Sequence, residues 1–154
     1  MDVRYINPFL EGVVEVIATM AFIKPVAGKP YVKKGDDAKG DVTGIIGLTG
    51  DIKGSLALSF GESSICSIVS SMLGETYTTL NKEIEDAVGE ITNMVSGVAR
   101  RKLETQGLIV HASIPTVICG RGHSFSHVLG GASLIIPFIT ESGDFVVDVC
   151  IELV

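Results

Sequence analysis

The stretch Asp41–Phe60, DVTGIIGLTGDIKGSLALSF, decides the fold class. Two strand-like runs, DVTGIIGLTG and GSLALSF, meet around Gly50-Asp51-Ile52-Lys53. Asp and Gly supply the backbone freedom that a tight reversal needs, so the pattern predicts a β-hairpin. In its second arm Leu56, Leu58 and Phe60 alternate with Ser55, Ala57 and Ser59, which makes one face more apolar than the other. Strands joined by so short a turn run antiparallel.

The same signal recurs toward the C-terminus. ASLIIPFIT and DFVVDVCIELV are joined at the turn Glu141-Ser142-Gly143. In the last run Phe145, Val147, Val149 and Ile151 point one way, as core. Val146, Asp148, Cys150 and Glu152 point the other, as a partly wet face. Pro137 cannot donate to a ladder, which predicts an edge or a bulge for its strand. Before these, SIPTVICG is β-branched, and RGHSFSHVLGG reads as a loop or irregular strand.

Helices occupy the remaining periodic segments. Ile6, Phe9, Leu10, Val13, Val16, Ile17 and Met20 recur at helical spacing. Asn7-Pro8 fits an N-cap followed by Pro at the first helical position; a start nearer Asp2, with Pro8 inside the first turns, fits as well. Residues 24 to 40 hold two prolines and many charges, and read as a surface loop with room for a short strand. Glu62 to Leu73 carries a stripe of Ile65, Ile68, Val69, Met72 and Leu73, stopped by Gly74. A long helix follows, with Thr79 or Asn81 able to cap it. Glu83, Glu85 and Asp86 lie in its first turns, Arg100, Arg101 and Lys102 near its end, and Gly107 beyond. The expected fold is α+β: an antiparallel sheet packed against long helices, one domain over residues 1–154.

Composition agrees with a folded domain. The chain has 154 residues, 46% of them hydrophobic, and a mean hydropathy of +0.45. Its apolar runs are too short to span a bilayer, and its opening MDVRYINPFLEG lacks the features of a secretory signal. A cytoplasmic protein is expected. A net charge of −6 speaks against nucleic acid and anionic membrane as partners. Cys66, Cys119 and Cys150 are far apart, form no C-x-x-C and read as small core residues.

The functional signal lies on the long helix, in EDAVGEITNMVSG, Glu85–Gly97. On a helical wheel Ile84, Ala87, Val88, Ile91, Met94, Val95, Val98 and Ala99 form one apolar arc. The opposite face holds Asp86, Glu90, Asn93, Gly97, Arg101 and Glu104. Glu90 and Asn93, at i and i+3, are neighbours with Cβ atoms about 5–6 Å apart. Mid-helix glycine costs about 1 kcal/mol relative to alanine, and asparagine is also a weak helix former. A surface tuned for helix stability alone would use neither.

On these residues the chain resembles the CheX branch of the CheC/CheX/FliY family of bacterial chemotaxis phosphatases. The family pattern is Asp or Ser, three residues, Glu, two residues, Asn, then some twenty-two residues and Pro. This chain has Asp86, Glu90, Asn93 and Pro115, the last gap being one residue shorter. The resemblance extends over MDVRYIN, GIIGLTGDIKGSL, VGEITNMVSG and PTVICGRG, and a single copy of the motif points to CheX. It implies a phosphatase that hydrolyses the aspartyl-phosphate of a CheY-type receiver domain. Catalysis would fall to Asn93, orienting a water, and Glu90, pairing with the receiver's active-site lysine. Partner contact would come from Asp86, with Gly97 as clearance for the receiver's loops. No cofactor is implied in this chain, only Mg²⁺ on the receiver. The resemblance also implies a homodimer built by continuing the sheet, to which the apolar C-terminal edge would be suited. The alternative is a non-catalytic docking module that binds a receiver through the same face.

Competing chemistry is thin. His123 and His127 are four apart but have no evident third metal ligand, and read as surface loop; His111 reads as structural. No G-x-S-x-G elbow marks a serine hydrolase. The GRG lacks the lysine and the following helix of a phosphate-binding loop.

Overall fold

A computed structural model describes residues 3–33, 40–125, 127, 129 and 133–154. The elements in chain order are α1 (Val3–Ala21), β1 (Val26–Ala27), β2 (Tyr31–Lys33), β3 (Val42–Gly50), β4 (Ile52–Phe60), α2 (Glu62–Leu73), α3 (Lys82–Glu104), β5 (Val110–Ala112), β6 (Thr116–Cys119), β7 (Ser133–Ile139) and β8 (Phe145–Leu153). The expected hairpin is β3–β4, turning at Asp51, with Gly50 at φ +106° where other residues are strained.

One antiparallel sheet runs in the order β1-β7-β8-β4-β3-β5, with β2 also on β7 and β6 also on β3. All three helices are long enough to bury a stripe, and the core lies between them and one sheet face. That face is built from register rows such as Ile46–Leu56–Val149 and Gly44–Leu58–Val147. Phe60, Phe145 and Phe138 continue it as an aromatic ladder, with centroids 5.0 and 5.3 Å apart. The fold is α+β, as the alternation predicts.

Two glycines fix where α3 sits. A β-carbon at Gly12 of α1 would lie 3.0 Å from the Val95 carbonyl oxygen, so the two helices cross in backbone contact. One at Gly44 of β3 would overlap Thr92 Oγ1, so α3 also lies directly on the sheet. Its N-terminus is capped by Asn81, whose Oδ1 accepts from Ile84 N at 2.9 Å.

Four expectations change. The Asn7-Pro8 start gives way to the earlier one: α1 is already helical at Val3, with Pro8 inside it, and Asp2 itself is outside the described residues. Proline at position 8 removes the donor that Arg4 C=O would meet in the helix; Gln106 Nε2 donates to that oxygen instead, at 3.1 Å. Strand β7 is not an edge: β8 flanks it on one side, β1 and β2 on the other. The N and O of a strand residue point the same way, and Pro137 O accepts from Gly28 N at 2.7 Å. The missing N–H therefore faces the gap between β1 and β2, where no ladder partner is lost. The C-terminal strand β8 is central, between β7 and β4, so it offers no edge for a second chain. Within the expected 24–40 loop two short strands form, and residues 34–39 are outside the described residues.

The fourth change concerns the second sheet face. Of the face expected to be partly wet, Val146 is half-buried and Glu152 is exposed, but Asp148 and Cys150 are buried, as are Ser55, Ala57 and Ser59 beside them. Phe125, His123 and His127 from the segment after β6 fold back over them. Ser126, Val128 and residues 130–132 of that segment lie outside the described residues.

Candidate functional site

Helix α3 presents its polar stripe to solvent along its whole length. Asp86, Glu90, Asn93, Arg101 and Glu104 are exposed, with Gly97 half-buried between them. On the opposite side Ile84, Val88, Ile91, Val95 and Ala99 are fully buried. The wheel is therefore realised as drawn, and the helix is held by its back while its front stays open.

Neither the Glu90 carboxylate nor the Asn93 carboxamide has a hydrogen-bond or ion-pair partner among the described residues. Ser96 Oγ donates to the Asn93 backbone oxygen at 3.0 Å, which leaves the carboxamide uninvolved. Asp86 differs: Lys82 Nζ lies 3.1 Å from its Oδ1, one turn earlier. Both side chains of that pair are largely exposed, and such pairs contribute only about 0.3–0.5 kcal/mol, so the contact exchanges readily. Beside it, Pro115 and Val117 join Lys82, Glu85, Asp86 and Gly89 around a shallow groove. Pro115 thus lies against the acidic end of the stripe.

Cys119 is exposed on β6, not a core residue as Cys66 and Cys150 are. Partial burial, with Glu85, Asp41 and Glu62 nearby, pushes its thiol pKa up, which disfavours the nucleophilic thiolate.

A second polar cluster, scattered in sequence, assembles on the far side of the sheet. Ser55 Oγ lies 2.5 Å from His127 Nδ1, and His127 Nε2 lies 2.7 Å from Asp148 Oδ1. Lys33 Nζ donates to Asp148 Oδ2 at 2.8 Å and sits 4.4 Å from the centre of the Phe125 ring. Burial alone would raise the Asp148 pKa. Hydrogen bonds from His127, Lys33 and Ser133 outweigh it and hold the carboxyl below its usual range. The order Ser–His–Asp imitates a hydrolytic triad, but Ser55 is 1% exposed and no substrate reaches it. His123 bridges separately, from Thr43 Oγ1 at 2.6 Å to Gly120 O at 2.6 Å. The two histidines thus serve different anchors, and no group of three or more metal-ligating side chains forms among the described residues. His111 is exposed on β5.

The sequence and the fold have known counterparts. The family model for chemotaxis phosphatase CheX matches residues 42–139. This chain belongs to the CheX family. It is 36% identical over 122 residues to the CheY-P phosphatase CheX of Thermotoga maritima, covering 79% of each chain. A CheC-like superfamily protein from Shewanella sp. PV-4 is 40% identical, with a TM-score of 0.91 and 99% of both chains covered. The fold is also shared with CheX of Borrelia burgdorferi, solved in a CheX–CheY–BeF3–Mg²⁺ complex. That likeness has 24% identity, a TM-score of 0.80, and covers 96% of this chain and 97% of that one. Among the described residues no helix is long and apolar enough to cross a membrane.

Proposed function

We propose that this CheX-family chain hydrolyses the aspartyl-phosphate of a CheY-type receiver, and that Glu90 and Asn93 enter the receiver's active site as a pair. The observation that carries this is their state: one acid and one amide, side by side on a helix, exposed and with no side-chain partner among the described residues. A carboxylate left unpaired on such a face is available to a cation. The lysine of a receiver's active site is suited to it, in a charge-assisted hydrogen bond that fixes the docking register.

Asn93 then orients the attacking water. The water oxygen bonds to phosphorus as the bond from phosphorus to the aspartyl oxygen breaks. The aspartate leaves as a carboxylate, and the water's proton departs with inorganic phosphate or to solvent. An amide is no general base, so its contribution is positioning, which fits phosphoryl transfer with its small demand for covalent chemistry. Mg²⁺ belongs to the receiver, where it neutralises charge on the phosphoryl oxygens. Asp86, once released from Lys82, adds a contact at the rim, and Gly97 gives the receiver's loops clearance. This reading also assigns the chain to the cytoplasm. A homodimer remains part of it, and with β8 central its sheet would continue through β1 and β2 or through β5 and β6.

The test is the decay of a phosphorylated CheY-type receiver with the native chain and with Asn93→Ala. The reading predicts faster decay with the native chain and loss of that acceleration, on the order of 10²-fold, in the variant while receiver binding persists. Binding without acceleration by the native chain would favour the docking-module reading.

A further inference from the structure

The stripe that carries Glu90 and Asn93 continues past Gly97 into two arginines. A β-carbon at Gly97 would lie 3.9 Å from Arg101 Nη1 and 4.0 Å from Arg100 Nη2, so both guanidinium groups converge on that bare turn of backbone. Neither makes an ion pair among the described residues, and Arg100 Nε is buried with no hydrogen-bond partner. Four lysines, by contrast, are committed: Lys33, Lys53, Lys82 and Lys102 each pair with an acid. In a chain with 18 acidic and 12 basic residues, two uncommitted guanidiniums on one helix turn mark a place for a foreign anion. A groove opens there, lined by Gly97, Arg100, Arg101, Glu104 and Leu108.

We propose that Arg100 and Arg101 form a second docking point for the phosphorylated receiver and accept carboxylates from the rim of its active site. The inference rests on the proposed function and adds the group that sets affinity. Eight residues separate Asn93 from Arg101, about 12 Å along the helix axis, so the arginines meet protein surface beside the phosphoryl group and not the phosphoryl group itself. They are positioning residues. A receiver that holds Mg²⁺ does so with carboxylates, so its docking face is rich in acid. This chain has a net charge of −6, which opposes that approach. A local pair of guanidiniums offsets the repulsion, steers the encounter and grips carboxylates by bidentate hydrogen bonds. With Glu90 reaching for a lysine at one end and the arginines for acids at the other, the stripe admits a receiver in a single orientation.

The experiment measures dephosphorylation rate against receiver concentration at low and high salt, together with Kd for the receiver, for the native chain, Arg101→Gln and Arg100→Gln/Arg101→Gln. Expected are KM and Kd raised about tenfold in the double variant, kcat within about twofold of native, and a flattened salt dependence. Arg101 is exposed, so the single variant keeps the test if the double variant unfolds; it is expected to show the same changes at smaller size. Unchanged KM, Kd and salt dependence in a folded variant overturn the proposal, as does a loss of kcat at unchanged KM. If the native chain binds the receiver without hydrolysing it, the catalytic reading fails alone and Kd still decides the docking point. No binding by the native chain overturns both.

Discussion

Two polar clusters lie on opposite sides of one sheet, and they differ in how well their groups are satisfied. Behind the sheet, the side chains of Ser55, His127, Asp148 and Lys33 are buried and bonded to one another. On the outer face of α3, Glu90 and Asn93 are exposed and bonded to nothing among the described residues. By residue type alone the first is the more enzyme-like. By physical state it is the second. A closed network spends its hydrogen bonds on holding a segment to the sheet, whereas an open pair keeps them for another molecule. Resemblance to a triad is therefore a weaker guide to chemistry here than access and unmet bonding capacity.

Substitutions can break this contrast from either side. The largest effect is expected at Asp148. Asp148→Ala strands Lys33 in the interior and should cost about 3–5 kcal/mol in denaturant unfolding, while activity per folded molecule stays near native. Ser55→Ala comes next. It leaves His127 Nδ1 without its partner and should cost about 1–3 kcal/mol. Dephosphorylation should be unchanged; a collapse of activity in folded Ser55→Ala would mean that the buried cluster is the catalytic one.

Gly97→Ala has the opposite sign. Its new methyl group meets nothing closer than 3.9 Å, so the helix should gain about 1 kcal/mol while receiver dephosphorylation falls severalfold. A variant both more stable and as active would remove the clearance role. The smallest effect is a pH dependence. The Asp148 pKa is lowered in the fold, so its contribution is complete above the unfolded value of about 3.9 and is lost as pH falls through the lower folded value. The stability gap between the native chain and Asp148→Asn should hold down to about pH 4 and close below it. A gap already closed at pH 5 would contradict the assigned direction.

Much of this molecule is legible in local sequence. Helix α2 spans the predicted Glu62–Leu73, and Gly74 ends it at φ +69°, because a glycine stop and a 3.6-residue stripe are local signals. The face of α3 was equally readable, since amphipathic packing sets every side chain's exposure at once. What escaped depends on distant partners. Lys33 and Asp148 are 115 residues apart, and nothing near either predicts their pairing. The same holds for Gln106, which meets the Arg4 carbonyl that Pro8 leaves open, and for Pro137, whose missing donor falls opposite a gap between two other strands. Period-two alternation separates the two faces of a strand but does not reveal what covers the second one. The strands β1 and β5, of two and three residues, are too short to carry a period at all.

The most direct measurement places Asn93→Ala and Ser55→Ala in one assay, following loss of label from a phosphorylated CheY-type receiver bound to Mg²⁺. The account predicts that Asn93→Ala folds as the native chain does, binds the receiver and fails to accelerate decay, while Ser55→Ala loses stability and keeps the native rate. The reverse pattern, an active Asn93→Ala beside an inactive but folded Ser55→Ala, would contradict it.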